Sequence, residues 1–250
     1  MTVRFYAQLN DFLPRSRRGV RFVHRLRAPA SVKDTIEALG VPHPEVDLIL
    51  VNGAPADYST RVDDADDLAI YPSFRWLPLD GITTVGAVPP DATRFAVDVH
   101  LSRLASLLRL AGFDAIVVAD DAALAGMGGE PARVVLTRDV ALLKRGVVRY
   151  GHWVRSTNPE RQLSEVVERF GISDAVAPFT RCTQCNTPLI DAAPADVADR
   201  IQPCTRAEFN QFRECPGCRR VYWKGSHYPR LLATLERAVG RVTARRNLSS

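Results

Sequence analysis

The spacing of hydrophobic residues changes character along the chain. Val3, Phe5, Ala7 and Leu9 alternate with polar neighbours, the two-residue period of a half-buried strand. A second strand-like run covers Val20–Leu26 after the turn-forming Arg17-Arg18-Gly19. Ser31 is placed to cap a helix over Val32–Leu39, with Gly40 just past its end, the residue types that start and stop helices. The apolar run Val46–Val51 meets Asn52-Gly53, a pair that favours the left-handed backbone of a tight hairpin. The acidic turn Asp63–Asp67 leads into Leu68–Tyr71. The predicted order is β-hairpin, helix, strand, turn, strand.

From Arg94 to Gly171 the pattern alternates strand and helix. Phe95–Val99 reads as a buried strand, and Leu101, Leu104, Ala105, Leu108 and Ala111 recur at helical spacing up to Gly112. Ala115–Val118 (strand), Asp121–Met127 (helix), Arg133–Thr137 (strand), His152–Ser156 (strand) and the amphipathic helix Pro159–Phe170 follow. Alternation of this kind predicts an α/β fold, a parallel sheet with helices on both faces. Pro78, Gly81, Gly86, Pro89 and Pro90 mark a linker without a hydrophobic period. The expected organisation is an N-terminal α+β domain over 1–76, a linker over 77–93, the α/β domain over 94–176, a cysteine-bearing domain over 177–229, and a basic helix or tail over 230–250.

Composition narrows the class. The chain has 250 residues, 46% hydrophobic and 24% charged, a mixture that excludes wholesale disorder and fibrous proteins. No apolar run reaches the roughly 18 residues needed to cross a bilayer, and the Met1–Tyr6 start carries no signal core. The expectation is a cytoplasmic protein with no membrane partner. The net charge of +5 is unevenly spread: residues 1–80 carry 10 basic and 11 acidic residues, residues 181–250 carry 12 and 6. Only Lys33, Lys144 and Lys224 are lysines. Arginine favours flat bidentate partners such as phosphate, so nucleic acid is the expected partner of the C-terminal quarter. A merely solvated basic tail is the alternative.

Five cysteines suit a secreted disulfide framework poorly, and four of them form Cys182-x-x-Cys185 and Cys215-x-x-Cys218. Two such turns can direct four thiolates at one tetrahedral Zn²⁺, and a four-thiolate set leaves no open position, so the zinc is expected to be structural. A redox role would want a thioredoxin-like context, which is missing. Cys204 is expected to be a free thiol; a His227 ligand in place of one of the four cysteines is the disfavoured alternative.

The second chemical signal is acidic. Asp98 lies in the first strand of the α/β region, Asp121 (beside Asp120) follows the second, and Asp139 follows the third. Ligands of open α/β sheets gather at the carboxyl ends of strands, and crowded carboxylates are relieved by a hard dication such as Mg²⁺ or Mn²⁺. Such a site suits phosphodiester hydrolysis. The bland readings are helix caps for Asp120, Asp121 and Asp139, and an ion pair with Arg138 or Arg103 for Asp98. Arg103, Arg109 and Arg138 are candidates for positioning a phosphate beside these acids, and Arg103 and Arg109 serve equally well as a solvated face. Arg213, Arg219, Arg220, Lys224 and Arg230 interleave with Phe212, Tyr222, Trp223 and Tyr228, cations and rings that suit single-stranded RNA. The rings serve equally well as the core of a small zinc ribbon.

Two resemblances bear on these readings. The first 70 or so residues, with Leu50-Val51-Asn52-Gly53 and Asp66–Pro72, resemble the β-grasp of ubiquitin-like sulfur carriers. Those carriers act through a free Gly-Gly end, whereas here the chain runs on through Phe74-Arg75-Trp76 and finishes in Ser249-Ser250. The expectation is a module that docks a protein partner, not a carrier. Val97–Leu101, Leu104–Asp114, Leu136–Asp139, Gln162-Leu163, Arg181–Asn186 and Phe212–His227 resemble the Mut7-C family of PIN-like ribonuclease domains, in which an N-terminal ubiquitin-like module is a known arrangement. The resemblance implies a metal-dependent endoribonuclease, with Asp98, Asp121 and Asp139 at the metal-holding positions. A fourth acid, common in PIN nucleases, has no clear counterpart; Asn158 is a weak candidate. The Gly126–Pro131 segment is unusually glycine-rich. A non-catalytic adaptor for RNA, such as tRNA or the ribosome, is therefore the competing expectation.

Overall fold

A computed structural model describes residues 1–72, 85–86, 91–129 and 133–240. The expected linker and the end of the basic tail, and Glu130-Pro131 of the glycine-rich segment, fall largely outside the described residues. In chain order the N-terminal region holds β1 (Thr2–Phe5), β2 (Phe22–Val23), β3 (Ala30–Ser31), α1 (Val32–Ala38), β4 (Leu48–Val51), β5 (Ala54–Pro55), β6 (Arg61–Val62) and β7 (Asp67–Tyr71). The central region holds β8 (Arg94–Asp98), α2 (Ser102–Leu110), β9 (Asp114–Val118), α3 (Asp121–Gly126), β10 (Val134–Thr137), α4 (Val140–Leu143), β11 (Gly151–Trp153) and α5 (Pro159–Phe170). The C-terminal region holds β12 (Ile190–Ala192), α6 (Pro203–Glu208), β13 (Phe212–Glu214), β14 (Val221–Trp223) and α7 (Tyr228–Val239). None of the described helices is long and apolar enough to cross a membrane.

Contacts divide the chain into two compact units, residues 1–91 with 120–153, and residues 92–119 with 154–250. In the first, the N-terminal sheet has the order β2-β1-β7-β4-β5. Its central pair, β1 and β7, is parallel, and β2, β4 and β5 join antiparallel, which is β-grasp topology. Ser31 caps α1 as expected, its hydroxyl accepting from the Asp34 N–H at 3.0 Å, and Gly40 takes a φ of +110°. Asn52 and Gly53 have φ of +52° and +81°, the left-handed pair of a tight hairpin turn. Val3, Phe5, Ile36, Ile49, Leu68 and Ile70 form the heart of the core.

Two expectations in this region were too long. The first strand stops at Phe5, because the chain turns into a 3₁₀ helix over Ala7–Phe12 that still buries Leu9. The second is two residues instead of seven: Val20 and Val23 are exposed, so the run has no second apolar face to extend against.

The same unit includes β10 and β11, paired in parallel with Val135 opposite Gly151. The N-terminal module meets them through buried polar groups. Glu45 and His152 are buried, with His152 Nδ1 2.9 Å from Glu45 Oε1, and the same oxygen accepts the Trp153 N–H at 2.6 Å. Lys144 Nζ donates to the Glu37 carbonyl at 2.7 Å, and the Phe12 and Trp153 rings lie 4.9 Å apart. The module thus packs directly against the segment that carries α4 and β11.

In the second unit β8 and β9 run parallel in register from Arg94 opposite Asp114 to Asp98 opposite Val118. The helical spacing of α2 buries Leu104, Ala105 and Leu108, and α5 buries Leu163, Val166 and Phe170. Phe95 contacts Phe113 and Phe170 at ring distances of 6.0 and 6.2 Å. All four strands of the α/β region lie in parallel ladders, as its alternation of strands and helices predicted. The C-terminal strands form an antiparallel sheet, β12-β13-β14, and Arg237 of α7 pairs with Glu160 of α5.

Candidate functional site

The four paired cysteines converge. One thiol sulfur from each of Cys182, Cys185, Cys215 and Cys218 lies within 4.8 Å of the others, and none is in a disulfide. Cys182 and Cys218 are 3.6 Å apart, Cys185 and Cys215 3.2 Å. Tetrahedral Zn–S bonds of about 2.3 Å put sulfurs about 3.8 Å apart, so the set fits zinc. Cys215 follows β13, and the loop to β14 carries Cys218; Cys182 and Cys185 sit on a tight turn whose Asn186 N–H returns to the Cys182 carbonyl at 3.0 Å. The N–H groups of Cys185 and Cys218 point at Cys182 and Cys215 sulfurs at 3.5 and 3.4 Å, donors that favour thiolates.

The thiols do not share one environment. Hydrogen bonding from Thr187, 3.3 Å away, and from Cys215 draws Cys185 down to about 6. Cys218 is pushed up to about 12: the Arg220 N–H lowers it, but burial and hydrogen bonds to the other three cysteines outweigh that. Crowded thiols divide in this way because four thiolates repel without a cation, and a dication reverses the penalty. Cys204 is exposed and outside the cluster, and among the described residues the cluster does not include His227.

The three aspartates occupy the carboxyl ends of strands. Asp98 is the last residue of β8 and is buried, its Oδ1 accepting the His100 N–H at 2.9 Å. Asp139 lies two residues past β10 and caps α4 through the Ala141 N–H at 2.7 Å. Asp120 is the cap of α3, accepting from Ala123 at 2.7 Å, which leaves Asp121 exposed in the first turn. Asp98 belongs to one compact unit, Asp121 and Asp139 to the other. Asn158 caps α5, its Oδ1 accepting from Glu160 and Arg161 at 2.9 and 3.1 Å. Among the described residues, the group placed to share one metal ion is the cysteine set.

The expected cationic surface is only partly a surface. Arg109 is buried and spends its guanidinium on main-chain carbonyls: Nε on Ala115 at 2.7 Å, Nη1 on Thr183 and Gln184 at 3.1 and 2.8 Å. This corrects the reading of Arg109 as a phosphate contact. The sequence held the signal, since Arg109 stands four residues after Ala105 on the apolar stripe of α2. Arg103 and Arg138 are exposed. Arg219, though exposed, pairs with the buried Glu214, which also holds Arg200. Arg220 is exposed, and Trp223 is 41% exposed. Lys224 Nζ lies 5.5 Å from the centre of the Tyr228 ring. Phe212 is buried, and the Tyr222 hydroxyl reaches Cys182 Sγ at 3.1 Å, so these two rings serve the ribbon.

The family model of the Mut7-C RNAse domain matches residues 93–235. The chain belongs to the Mut7-C family. The model of the Mut7-C ubiquitin domain matches residues 1–77, directly ahead of it. No curated protein matches the chain. The Mut7-C match spans the whole stretch from Asp98 to the zinc-fitting cysteines.

Proposed function

We propose that the protein is a metal-dependent endoribonuclease whose zinc ribbon and arginine-rich C-terminal segment hold the RNA strand. The observation that carries this reading is the match of the Mut7-C RNAse domain over residues 93–235, with Asp98, Asp121 and Asp139 each following or ending a strand of that domain. These carboxylates would hold Mg²⁺ or Mn²⁺. When bound, the ion supplies water activation and charge stabilisation at the phosphoryl group. A local backbone N–H orients each of the Asp98 and Asp139 carboxylates. Zn²⁺ held by Cys182, Cys185, Cys215 and Cys218 is structural. Arg103, Arg138, Arg220, Trp223 and Lys224 are the RNA contacts, with Arg219 in support from its pairing with Glu214. The ubiquitin-like module is the surface offered to a protein partner.

The test is cleavage of total RNA by the purified full-length protein with added Mg²⁺ or Mn²⁺. Asp98→Asn and Asp139→Asn are each expected to lower cleavage on the order of 100-fold or more with zinc content and folding unchanged. Equal activity with and without these changes overturns the catalytic assignment. A second reading, an RNA-binding adaptor acting on tRNA or the ribosome, is favoured by one observation: Asp98, Asp139 and Asn158 all have capping roles that account for them without catalysis. RNA affinity that falls with salt, is indifferent to Mg²⁺ and gives no turnover would select it.

A further inference from the structure

The buried guanidinium of Arg109 joins two parts of the chain that are 74 and 75 residues apart in sequence. Its Nε holds the Ala115 carbonyl near the start of β9, and its Nη1 holds the Thr183 and Gln184 carbonyls between the two cysteines of the first Cys-x-x-Cys turn. A second clasp lies beside it. Asn186, with a left-handed φ of +69°, donates from Nδ2 to Asp114 Oδ1 at 2.7 Å and accepts the Ala115 N–H at 3.0 Å. The approach is close enough to require glycine. A Cβ on Gly112, whose φ is +98°, would stand 2.3 Å from the Ala177 carbonyl oxygen. The turn from α2 into β9 is therefore shaped around the chain that leads into the zinc-fitting cysteines.

We infer that Arg109 is a positioning residue that makes metal loading of the cysteine turn a condition for order in β9 and, through its ladder with β8, in the strand that ends at Asp98. The physical reason is the burial of a fixed charge. A guanidinium cannot shed its proton in a protein, so a buried one needs its full set of acceptors. Two of the three observed acceptors are carbonyls whose direction is set by the fold of the Cys182–Cys185 turn. Zinc fixes that turn, because the metal sites of such ribbons do not persist as organised structure without the ion. Loss of the ion frees Thr183 and Gln184 to swing away, and Arg109 keeps Ala115 alone. The charge logic points the same way: burial works against the guanidinium, while the Cys182 and Cys185 sulfurs and Asp114 work for it. Zn²⁺ with four thiolates is a dianion, and Arg109 is its buried counter-charge.

This inference rests on the zinc reading but not on the nuclease reading. The test is amide hydrogen exchange of the full-length protein before and after zinc is removed with a chelator, with metal content measured first. One equivalent of zinc is expected, with β9 amides over Ala115–Val118 exchanging at least about tenfold faster once it is removed and those of β1 and β7 unchanged. Arg109→Lys keeps the charge but loses the planar fork. It is expected to bind zinc about 10- to 100-fold more weakly, read as faster transfer of zinc to a chromogenic chelator. No zinc in the purified protein overturns both the metal reading and the coupling. Zinc present, with β9 exchange the same in loaded and stripped protein, overturns the coupling alone, and that comparison holds even where the lysine variant does not fold.

Discussion

The four cysteines and the three aspartates are both candidate metal sites, and they are built on opposite plans. Each cysteine pair occupies one short turn, and one compact unit holds all four sulfurs. The aspartates come singly, each at or just after the end of a different strand. A thiolate site made of local turns contributes folding energy to a segment poor in apolar residues. Among the described residues from Arg181 to His227, Val197 and Phe212 are the buried apolar side chains besides Cys182 and Cys215. An acid set at strand ends does the reverse: it draws its order from the sheet and gives little back.

The largest effect expected from breaking that contrast is on the cysteine side. Cys215→Ser should cost on the order of 10 kcal/mol of metal-linked folding energy, seen as loss of zinc and of amide protection in β12–β14. The N-terminal sheet, with its own apolar core, should keep its protection. Asp98→Asn sharpens the contrast from the other side. Asparagine caps a helical turn as well as aspartate does, so stability should hold, while the roughly 100-fold loss of cleavage corresponds to about 2.7 kcal/mol of barrier. Asp98→Ala removes the cap as well, and thermal unfolding should register about 1 kcal/mol.

Acid should separate the sites further. Zinc holds thiolates, so lowering pH protonates its ligands and weakens binding. Hydrogen bonding from Thr187 already draws Cys185 down to about 6. Zinc release measured from pH 8 downward should rise steadily, with no plateau above pH 6. The smallest expected effect tests the neighbouring acids Asp120 and Asp121. Asp120 is the α3 cap, so Asp120→Ala should cost about 1 kcal/mol and leave cleavage alone. Asp121→Asn should do the opposite.

How much of this could be read in advance follows from the range of the forces involved. The caps and turns of α1, the Asn52-Gly53 hairpin and α5 were legible because they are decided within a few residues. The cysteine site was legible for the same reason. Arg109 was misread because its partners lie 74 and 75 residues away in the Thr183-Gln184 turn, although its place four residues after Ala105 already set it on the apolar stripe of α2. Glu45 and His152 went unnoticed because a buried pair joining two domains has no sequence period. For Tyr222 the sequence left stacking and a ribbon-core role equally open, because the partner of its hydroxyl, Cys182, lies 40 residues away.

The most direct test of the central claim is a single comparison of zinc-loaded protein and its Asp98→Asn form acting on total RNA, with and without Mn²⁺. The account predicts cleavage by the unaltered protein only when Mn²⁺ is present, and almost none by the variant although it binds RNA and zinc equally well. Equal cleavage by both proteins, or cleavage indifferent to added Mn²⁺ and chelator, would contradict it.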